Sequence, residues 1–158
     1  MANEKQETNS TDLLQLVSFR IENEEFGVDI LKVQEIIRMI QITKVPNSPE
    51  FVEGVINLRG RVIPIISLRT KLGLSRIEQD KNTRTIVVDL HGKTIGFIVD
   101  EVNEVLRIPA GITETPPSMV SGINADYITS IAKLEDRLLI LLDLEKVLTD
   151  AEKASLEV

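Results

Sequence analysis

The sequence predicts an all-β fold of two small five-stranded β-barrels related by internal duplication, with short helices and a C-terminal helix. Three observations predict it. Hydrophobic residues make up 42 % of the chain but aromatic residues only 3 %, so the core is aliphatic, and abundant Ile and Val favour strands. Apolar residues alternate over short runs that end in turn residues. The same order of runs and turns occurs twice along the chain.

The repeat consists of two blocks in the same order. The block from Phe19 to Arg38 aligns with Val88 to Arg107 at an offset of 69 residues, with a Gly, a Val, a Glu and the final Arg coinciding. A second block, Leu58 to Leu72, aligns with Leu134 to Leu148 at an offset of 76. Because the order and the turn positions repeat together, we interpret the chain as a duplicated module rather than as a chance likeness between aliphatic sequences.

The sequence pattern of each copy predicts the same series of secondary-structure elements. An alternating strand leads to a polar turn, a return strand and a third strand; a loop with proline then leads to a last hairpin and a short helix. In the first copy that helix spans Leu68 to Leu72 and ends at Gly73 as a C-cap. In the second copy it is longer, and Thr149 with Glu152 fits a capping box where the helix breaks and restarts. Short strands joined by tight turns favour a closed barrel, which exposes no sheet edge.

The predicted organisation follows the repeat. Residues 1–14 form a polar N-terminal segment, residues 15–74 the first barrel half and residues 75–84 a polar link. Residues 85–158 form the second barrel half with the C-terminal helix. Two such halves packed together bury more apolar surface than either alone, so we expect one domain over residues 15–150.

Composition excludes several classes of function. The formal net charge is −7, which does not attract nucleic acid or anionic lipid. No apolar run approaches the roughly 20 residues needed to span a bilayer. The chain has no Cys and one His, His91, which excludes a thiolate nucleophile and a zinc site. The polar N-terminus lacks a signal-peptide pattern, so we expect a soluble cytoplasmic protein without cofactor or metal.

An enzymatic alternative is a small hydrolase that uses scattered carboxylates. The chain has 25 Asp and Glu residues, and Asp29 and Asp100-Glu101 occupy matched positions after the two return strands. We interpret them as solvated charges at strand ends, because the sequence holds no paired constellation of acid and base. The prediction is therefore a protein without enzymatic activity that acts through its surface.

One short segment carries more apolar residues than strand alternation explains. Ile30, Val33 and Ile36 recur at a spacing of three, and Val102 belongs to a matching series in the second copy. This spacing indicates a bend or one helical turn between two strands. Two interpretations are open: the side chains fill the seam between the barrels, or they line a groove that accepts a partner helix.

Four segments carry family motifs: FGVDILKVQEI (Phe26 to Ile36), FVEGVINLRGRVIPIISLRTKLG (Phe51 to Gly73), GFIVDEVNEVLRI (Gly96 to Ile108) and DRLLILLDLEKVL (Asp136 to Leu148). Over roughly residues 15–150 the chain resembles the CheW-like domain family of bacterial chemotaxis coupling, or scaffold, proteins. The resemblance implies two five-stranded SH3-like barrels, no enzymatic activity and no cofactor. It also implies two partners: the cytoplasmic hairpin tip of a chemoreceptor (a methyl-accepting protein) and the regulatory domain of the chemotaxis histidine kinase.

By motif position, the resemblance also implies where each partner binds. The kinase would dock on the first barrel near the NLRG hairpin, at Gly54 and Gly60, where glycine permits close backbone approach. The receptor would dock in the groove between the barrels, lined by Val17, Ile30, Val33, Ile36 and Val102.

The resemblance further implies a cytoplasmic protein that is recruited to membrane-associated receptor arrays. The alternative function is that of a CheW-like adaptor in a receptor–kinase pathway outside chemotaxis.

The turn Arg59-Gly60-Arg61 carries two cations within an aliphatic hairpin. The second copy has Glu135-Asp136 in place of Arg59-Gly60, so the barrel itself does not require Arg59, whereas Arg61 has a counterpart in Arg137. We predict that Arg59 lies against Glu35 and holds the segment Val33 to Ile36 in its bent form, with part of its guanidinium free for a partner carboxylate. The alternative is a plain surface cation.

Overall fold

The strands begin and end close to the turns that the sequence predicts. The computed structural model describes residues 12–38, 40–115 and 126–156, which form eleven strands. The strands are β1 Leu13–Ile21, β2 Glu24–Asp29, β3 Val33–Ile37, β4 Val52–Leu58, β5 Arg61–Ser67, β6 Arg84–Leu90, β7 Lys93–Val99, β8 Glu101–Pro109, β9 Thr113–Glu114, β10 Ile128–Lys133 and β11 Leu138–Leu142. The helical elements are α1 Leu68–Lys71, α2 Asp150–Ser155 and the 3₁₀ turns Ile30–Lys32, Ala110–Ile112 and Leu144–Lys146.

The strands form two sheets with related topology. The strand order is β8-β1-β2-β11-β10-β9 in the first sheet and β3-β6-β7-β5-β4 in the second sheet. In each sheet a hairpin pairs antiparallel with one neighbouring strand and parallel with the other. The prediction of an all-β protein with two β-sheet subdomains is confirmed. The first sheet has six strands instead of five, because the two-residue strand β9 adds to the edge of β10.

Each sheet contains strands from both copies of the repeat. The hairpin β1–β2 of the first copy joins β8, β10 and β11 of the second, and the hairpin β6–β7 of the second copy joins β3, β4 and β5 of the first. The chain crosses between the sheets at the 3₁₀ turn Ile30–Lys32 and again at Asp100. The segment 75–84 connects β5 to β6 within the second sheet. The two copies of the repeat therefore do not correspond to the two sheets.

The register of the two sheets reproduces the repeat. Ile65 pairs with Gly96 across the parallel strands β5 and β7, and Leu141 pairs with Gly27 across β11 and β2. The offsets of 69 and 76 residues relate these two pairs. A Cβ at Gly96 would lie 2.7 Å from Ile65 Cδ1, and one at Gly27 would lie 3.2 Å from Leu141 Cδ2. Both glycines therefore make room for a branched side chain of the facing strand.

One hydrophobic core joins the two sheets. Its buried members include Phe19 and Val28 of the first sheet and Ile86 and Phe97 of the second. Smaller clusters line the interior of each sheet separately. Because the largest cluster crosses the junction, the protein's own side chains fill the interior of that junction, and only its margin is available to a partner.

The first helix ends at the predicted Gly73, and the second begins at the predicted capping box. The Ser67 side chain accepts a hydrogen bond at the start of α1, and two backbone hydrogen bonds around Gly73 end it. The second-copy helix is broken as predicted: the 3₁₀ turn Leu144–Lys146 is followed by α2, which has the capping box of Thr149 and Glu152. Within the described ranges no helix has the length and apolar character required to cross a membrane.

Candidate protein-binding surface

The segment between β2 and β3 bends where the sequence predicts. Asp29 ends β2, and its Oδ1 accepts a hydrogen bond of 2.9 Å from the Leu31 amide. This cap starts the 3₁₀ turn Ile30–Lys32, and the backbone is extended again at Val33. The recurrence of apolar residues at every third position, Ile30, Val33 and Ile36, therefore reflects one helical turn followed by a strand.

The five predicted groove residues differ in burial: three pack against the central core, one lies within it and one is exposed. Ile30, Val33 and Val102 are half-buried and pack against the central core. Val17 is 2 % exposed and belongs to that core, so its side chain does not reach the surface. Ile36 is 38 % exposed and is the most accessible of the five. We call Ile30, Val33, Ile36 and Val102 the junction surface.

The predicted contact between Arg59 and Glu35 is present. Arg59 Nη1 lies 3.3 Å from Glu35 Oε1, and Arg59 Nη2 donates a second hydrogen bond to Glu35 Oε2. The hydrogen bonds to Glu35 raise the pKa of Arg59. This bidentate pair joins the β4–β5 turn to β3, the strand that carries Val33 and Ile36. The Arg59 side chain is 70 % exposed, so part of it is accessible to a partner.

Both backbone positions at the tip of the β4–β5 turn are left-handed. Arg59 has a φ of +53° and Gly60 a φ of +86°, and the Gly60 amide donates a hydrogen bond of 2.8 Å to Asn57 Oδ1. Glycine and asparagine adopt positive φ at lower cost than arginine, and Glu22 and His91 have the same left-handed conformation in their own hairpin turns. A Cβ built on Gly60 has no atom within 4 Å, so this backbone is open to a partner.

Gly54, the other glycine assigned to the kinase, is buried. Its φ is +147°, and a Cβ there would lie 2.2 Å from the Thr43 backbone oxygen. The Thr43 N–H and C=O groups bond to Val55 at 2.9 and 2.8 Å, which places this segment against the bulge in β4. The close backbone approach that the glycine permits is thus made by the protein's own chain.

The motifs and the two paired sheets agree with the result of comparison with known proteins. The family model for the CheW-like domain matches residues 15–152. The chain belongs to the CheW-like domain family. This confirms the resemblance carried by the four motifs.

Several CheW proteins are similar to this CheW-like chain along most of its length. The chemotaxis protein CheW of Klebsiella aerogenes is 41 % identical over 136 residues, which cover 86 % of this chain and 82 % of that protein. The chemotaxis protein CheW of Helicobacter pylori is 40 % identical over 148 residues, which cover 93 % and 88 %. The crystal structure of the scaffolding protein TtCheW from Thermoanaerobacter tengcongensis matches with a TM-score of 0.80 at 38 % identity, covering 86 % of this chain and 92 % of that chain.

A partly buried ion cluster in this CheW-like domain ties α1 to the β1–β2 turn and to the crossing at Asp100. Arg69, only 8 % exposed, donates hydrogen bonds to Asp100 Oδ2 at 2.6 Å and to Glu22 Oε1. Its Nε donates to the Ser75 carbonyl at 2.7 Å. We call Glu22, Arg69 and Asp100 the Arg69 cluster. The prediction that Asp100 is a solvated charge is wrong, because its side chain is buried and paired with Arg69.

An apolar groove of about 550 Å³ opens beside the 3₁₀ turn Ile30–Lys32, and the sequence does not predict it. Its walls come from the start of β1, the end of β11 and the turn itself, which lie far apart in the chain. Lys32 and Glu145 stand in its wall and form an ion pair of 2.8 Å. Its apolar lining includes Leu13, Leu14, Ile30, Leu31, Leu142 and Leu144.

The side chains of Arg61 and Arg137 play equivalent parts in the two copies. Arg61 Nη2 lies 2.9 Å from Thr94 Oγ1, and Arg137 Nε lies 2.6 Å from Glu25 Oε1. The repeat offset of 69 relates Thr94 to Glu25. Each arginine therefore ties the last hairpin of one copy to the first hairpin of the other, as the shared position predicts.

Glu25→Gln is expected to destabilise the protein at neutral pH but not in acid. Burial raises the pKa of Glu25, but hydrogen bonds from Ser18, Arg137 and Asn103 outweigh it, so the pKa lies below its ordinary 4.5. A lowered folded-state pKa stabilises the fold above the unfolded-state pKa, and that contribution is lost as the pH falls through the folded-state pKa. Urea unfolding at a series of pH values should show the gap between the two proteins shrinking below about pH 4.5. A gap independent of pH would count against this ionic role.

Proposed function

We propose that this CheW-like protein is a non-catalytic adaptor that couples chemoreceptor cytoplasmic tips to the chemotaxis histidine kinase in signalling arrays. The observation that carries the proposal is the junction surface, a set of apolar side chains at the margin of two sheets that share one core. The names of its relatives, chemotaxis protein CheW and scaffolding protein TtCheW, agree with it. In this proposal the protein works in the cytoplasm and reaches membrane-associated arrays through its partners.

The receptor partner is a helical hairpin that lays its apolar face on the junction surface. An amphipathic helix binds in this way when a groove offers apolar side chains at its margin. Ile30, Val33 and Val102 supply the half-buried floor, and Ile36 supplies an exposed contact. The exposed part of Arg59 is placed to pair with a carboxylate on the helix.

The kinase partner is assigned to the turn at Gly60. This turn is open on its outer side, so the regulatory domain of the kinase would approach the backbone closely there. Gly54 supports the same hairpin from within, because it lets residue 43 pair with β4. The turn adjoins the junction surface through the pair of Arg59 and Glu35, so in this proposal the two partners bind side by side.

The receptor assignment is tested by the binding of three aspartate variants to a chemoreceptor cytoplasmic fragment. Ile36→Asp is expected to weaken binding at least about tenfold with little change in thermal unfolding, because Ile36 is exposed. Val33→Asp should weaken binding and also cost stability, since Val33 packs on the core. Leu138→Asp is the matched control, an exposed apolar residue at the start of β11. Equal binding by Ile36→Asp and Leu138→Asp would reject the junction surface as the receptor site.

Arg59→Ala is expected to weaken array assembly while leaving thermal unfolding nearly unchanged. The side chain is mostly exposed and holds Glu35 on β3, so its loss affects the partner surface more than the core. The measurement pairs a thermal melt with co-sedimentation of receptor fragment and kinase. Lys133→Ala, which removes another exposed cation paired with Glu114, is the control. A large drop in melting temperature with normal co-sedimentation would show that Arg59 is structural.

A further inference from the structure

A second charged cluster contacts the 3₁₀ turn Ile30–Lys32. Glu145, in the 3₁₀ turn after β11, accepts a hydrogen bond of 2.8 Å from Lys32 Nζ, and its other carboxylate oxygen lies 3.0 Å from His91 Nε2. The hydrogen bond between Lys32 and Glu145 lowers the pKa of Glu145 and raises the pKa of Lys32, so both groups are charged at neutral pH. We call Lys32, His91 and Glu145 the Glu145 cluster.

Two members of the Glu145 cluster are the repeat-related counterparts of members of the Arg69 cluster, and the central residue has the opposite charge. The offset of 76 residues places Glu145 over Arg69, and the offset of 69 places His91 over Glu22, whereas the third members, Lys32 and Asp100, lie one residue out of this register. The central residue is thus a cation beside two carboxylates in one copy and a carboxylate beside a lysine and a histidine in the other. The ion pairs at the two crossings also differ in burial: both side chains of Arg69 and Asp100 are 10 % exposed, whereas Lys32 is 47 % and Glu145 20 % exposed.

Each cluster lies at one of the two crossings between the sheets. The Arg69 cluster holds the crossing at Asp100, and the Glu145 cluster holds the crossing at Ile30–Lys32. A buried ion pair is costly to break, because its partners lose their counter-charge without regaining water. An exposed pair opens easily in comparison. One crossing is therefore fixed, and the other is held by a contact that can open.

We propose that the Glu145 cluster is a latch that orders the 3₁₀ turn and thereby sets the affinity of the junction surface for its helical partner. Lys32 stands between Ile30 and Val33, and the Val33 amide closes the turn by donating to the Ile30 carbonyl. The bond from Lys32 to Glu145 thus fixes the direction of both apolar side chains. Lys32 and Glu145 act here as positioning residues. The identity of the partner rests on the proposed function.

The first test needs no partner and measures amide hydrogen exchange in the free protein. Glu145→Gln removes the charge but keeps the shape of the side chain, and is expected to speed exchange of the Val33 amide about two- to fivefold. Lys133→Ala breaks a different exposed ion pair of the first sheet and should leave that amide unchanged. An unchanged Val33 exchange rate in Glu145→Gln would overturn the latch.

The second test measures affinity for a chemoreceptor cytoplasmic-tip fragment. Lys32→Glu is expected to weaken binding about fivefold, because it repels Glu145, and the exchange of charges in Lys32→Glu with Glu145→Lys should restore it to within about twofold. If the double variant stays weak, Lys32 contacts the partner itself and its positioning role is overturned. If the unmodified protein does not bind the fragment, the proposed function and the affinity part of this inference both fail, while the exchange rates still decide whether the turn is latched.

Discussion

Replacing Arg69 by alanine is expected to lower the free energy of unfolding by about 3–5 kcal/mol, because it leaves the Asp100 carboxylate buried without its counter-ion. Both side chains of this pair are 10 % exposed, and Arg69 Nη1 lies 2.6 Å from Asp100 Oδ2. Glu22 is about half exposed, so water replaces its lost partner and it adds little. Urea unfolding at pH 7, followed by circular dichroism, measures the loss.

Two further variants separate the burial of charge from the loss of packing. Asp100→Asn in the Arg69→Ala protein should recover part of the loss, since an amide oxygen still accepts the hydrogen bond from the Glu22 backbone N–H. Arg20→Ala breaks the exposed pair between Arg20 and Glu101 and should cost no more than about 1 kcal/mol. A loss below about 1 kcal/mol in Arg69→Ala would show that the Arg69 cluster does not fix the crossing.

Gly54→Ala is expected to lower the free energy of unfolding by about 3 kcal/mol. Its φ of +147° belongs to a region that only glycine adopts readily, which contributes about 1–3 kcal/mol of strain. The new Cβ would also lie 2.2 Å from the Thr43 carbonyl oxygen, a backbone atom that cannot rotate away. The two hydrogen bonds between Thr43 and Val55 would then be distorted or lost.

Gly60→Ala is the matched control for Gly54→Ala. Gly60 also has a positive φ, of +86°, but an added Cβ meets no atom within 4 Å, so only the backbone strain of about 1–2 kcal/mol applies. Thermal and urea unfolding of the two variants should therefore differ clearly, with Gly54→Ala the less stable. Equal losses would mean that segment 42–43 does not pack on β4 as described.

Local sequence patterns predict most of the secondary-structure elements of this fold. Alternation, tight turns and the caps at Gly73 and Thr149 depend on neighbouring residues, and each is found where the sequence predicts it. The repeat could be recognised because Gly27 and Gly96 meet the same packing demand in both copies. The exchange of hairpins between copies could not be predicted, since both copies have the same alternation and either would satisfy a neighbouring strand.

Only some contacts of the candidate site could be predicted from the sequence. The contact of Arg59 with Glu35 could be predicted, because the second copy lacks this arginine and the fold does not need it. The pair of Arg69 and Asp100 could not, since 31 residues separate them and a charge at a strand end is usually solvated. Val17 shows a related limit: the resemblance places it in the groove, whereas its burial places it in the core.

The central claim is that one molecule holds a receptor and a kinase at the same time. Co-sedimentation of the kinase with a chemoreceptor cytoplasmic fragment, with and without this protein, tests it most directly. We predict that the kinase enters the pellet only when the protein is present, and that Ile36→Asp leaves the kinase in the supernatant. An equal amount of kinase in the pellet without the protein, or with Ile36→Asp in its place, would contradict the claim.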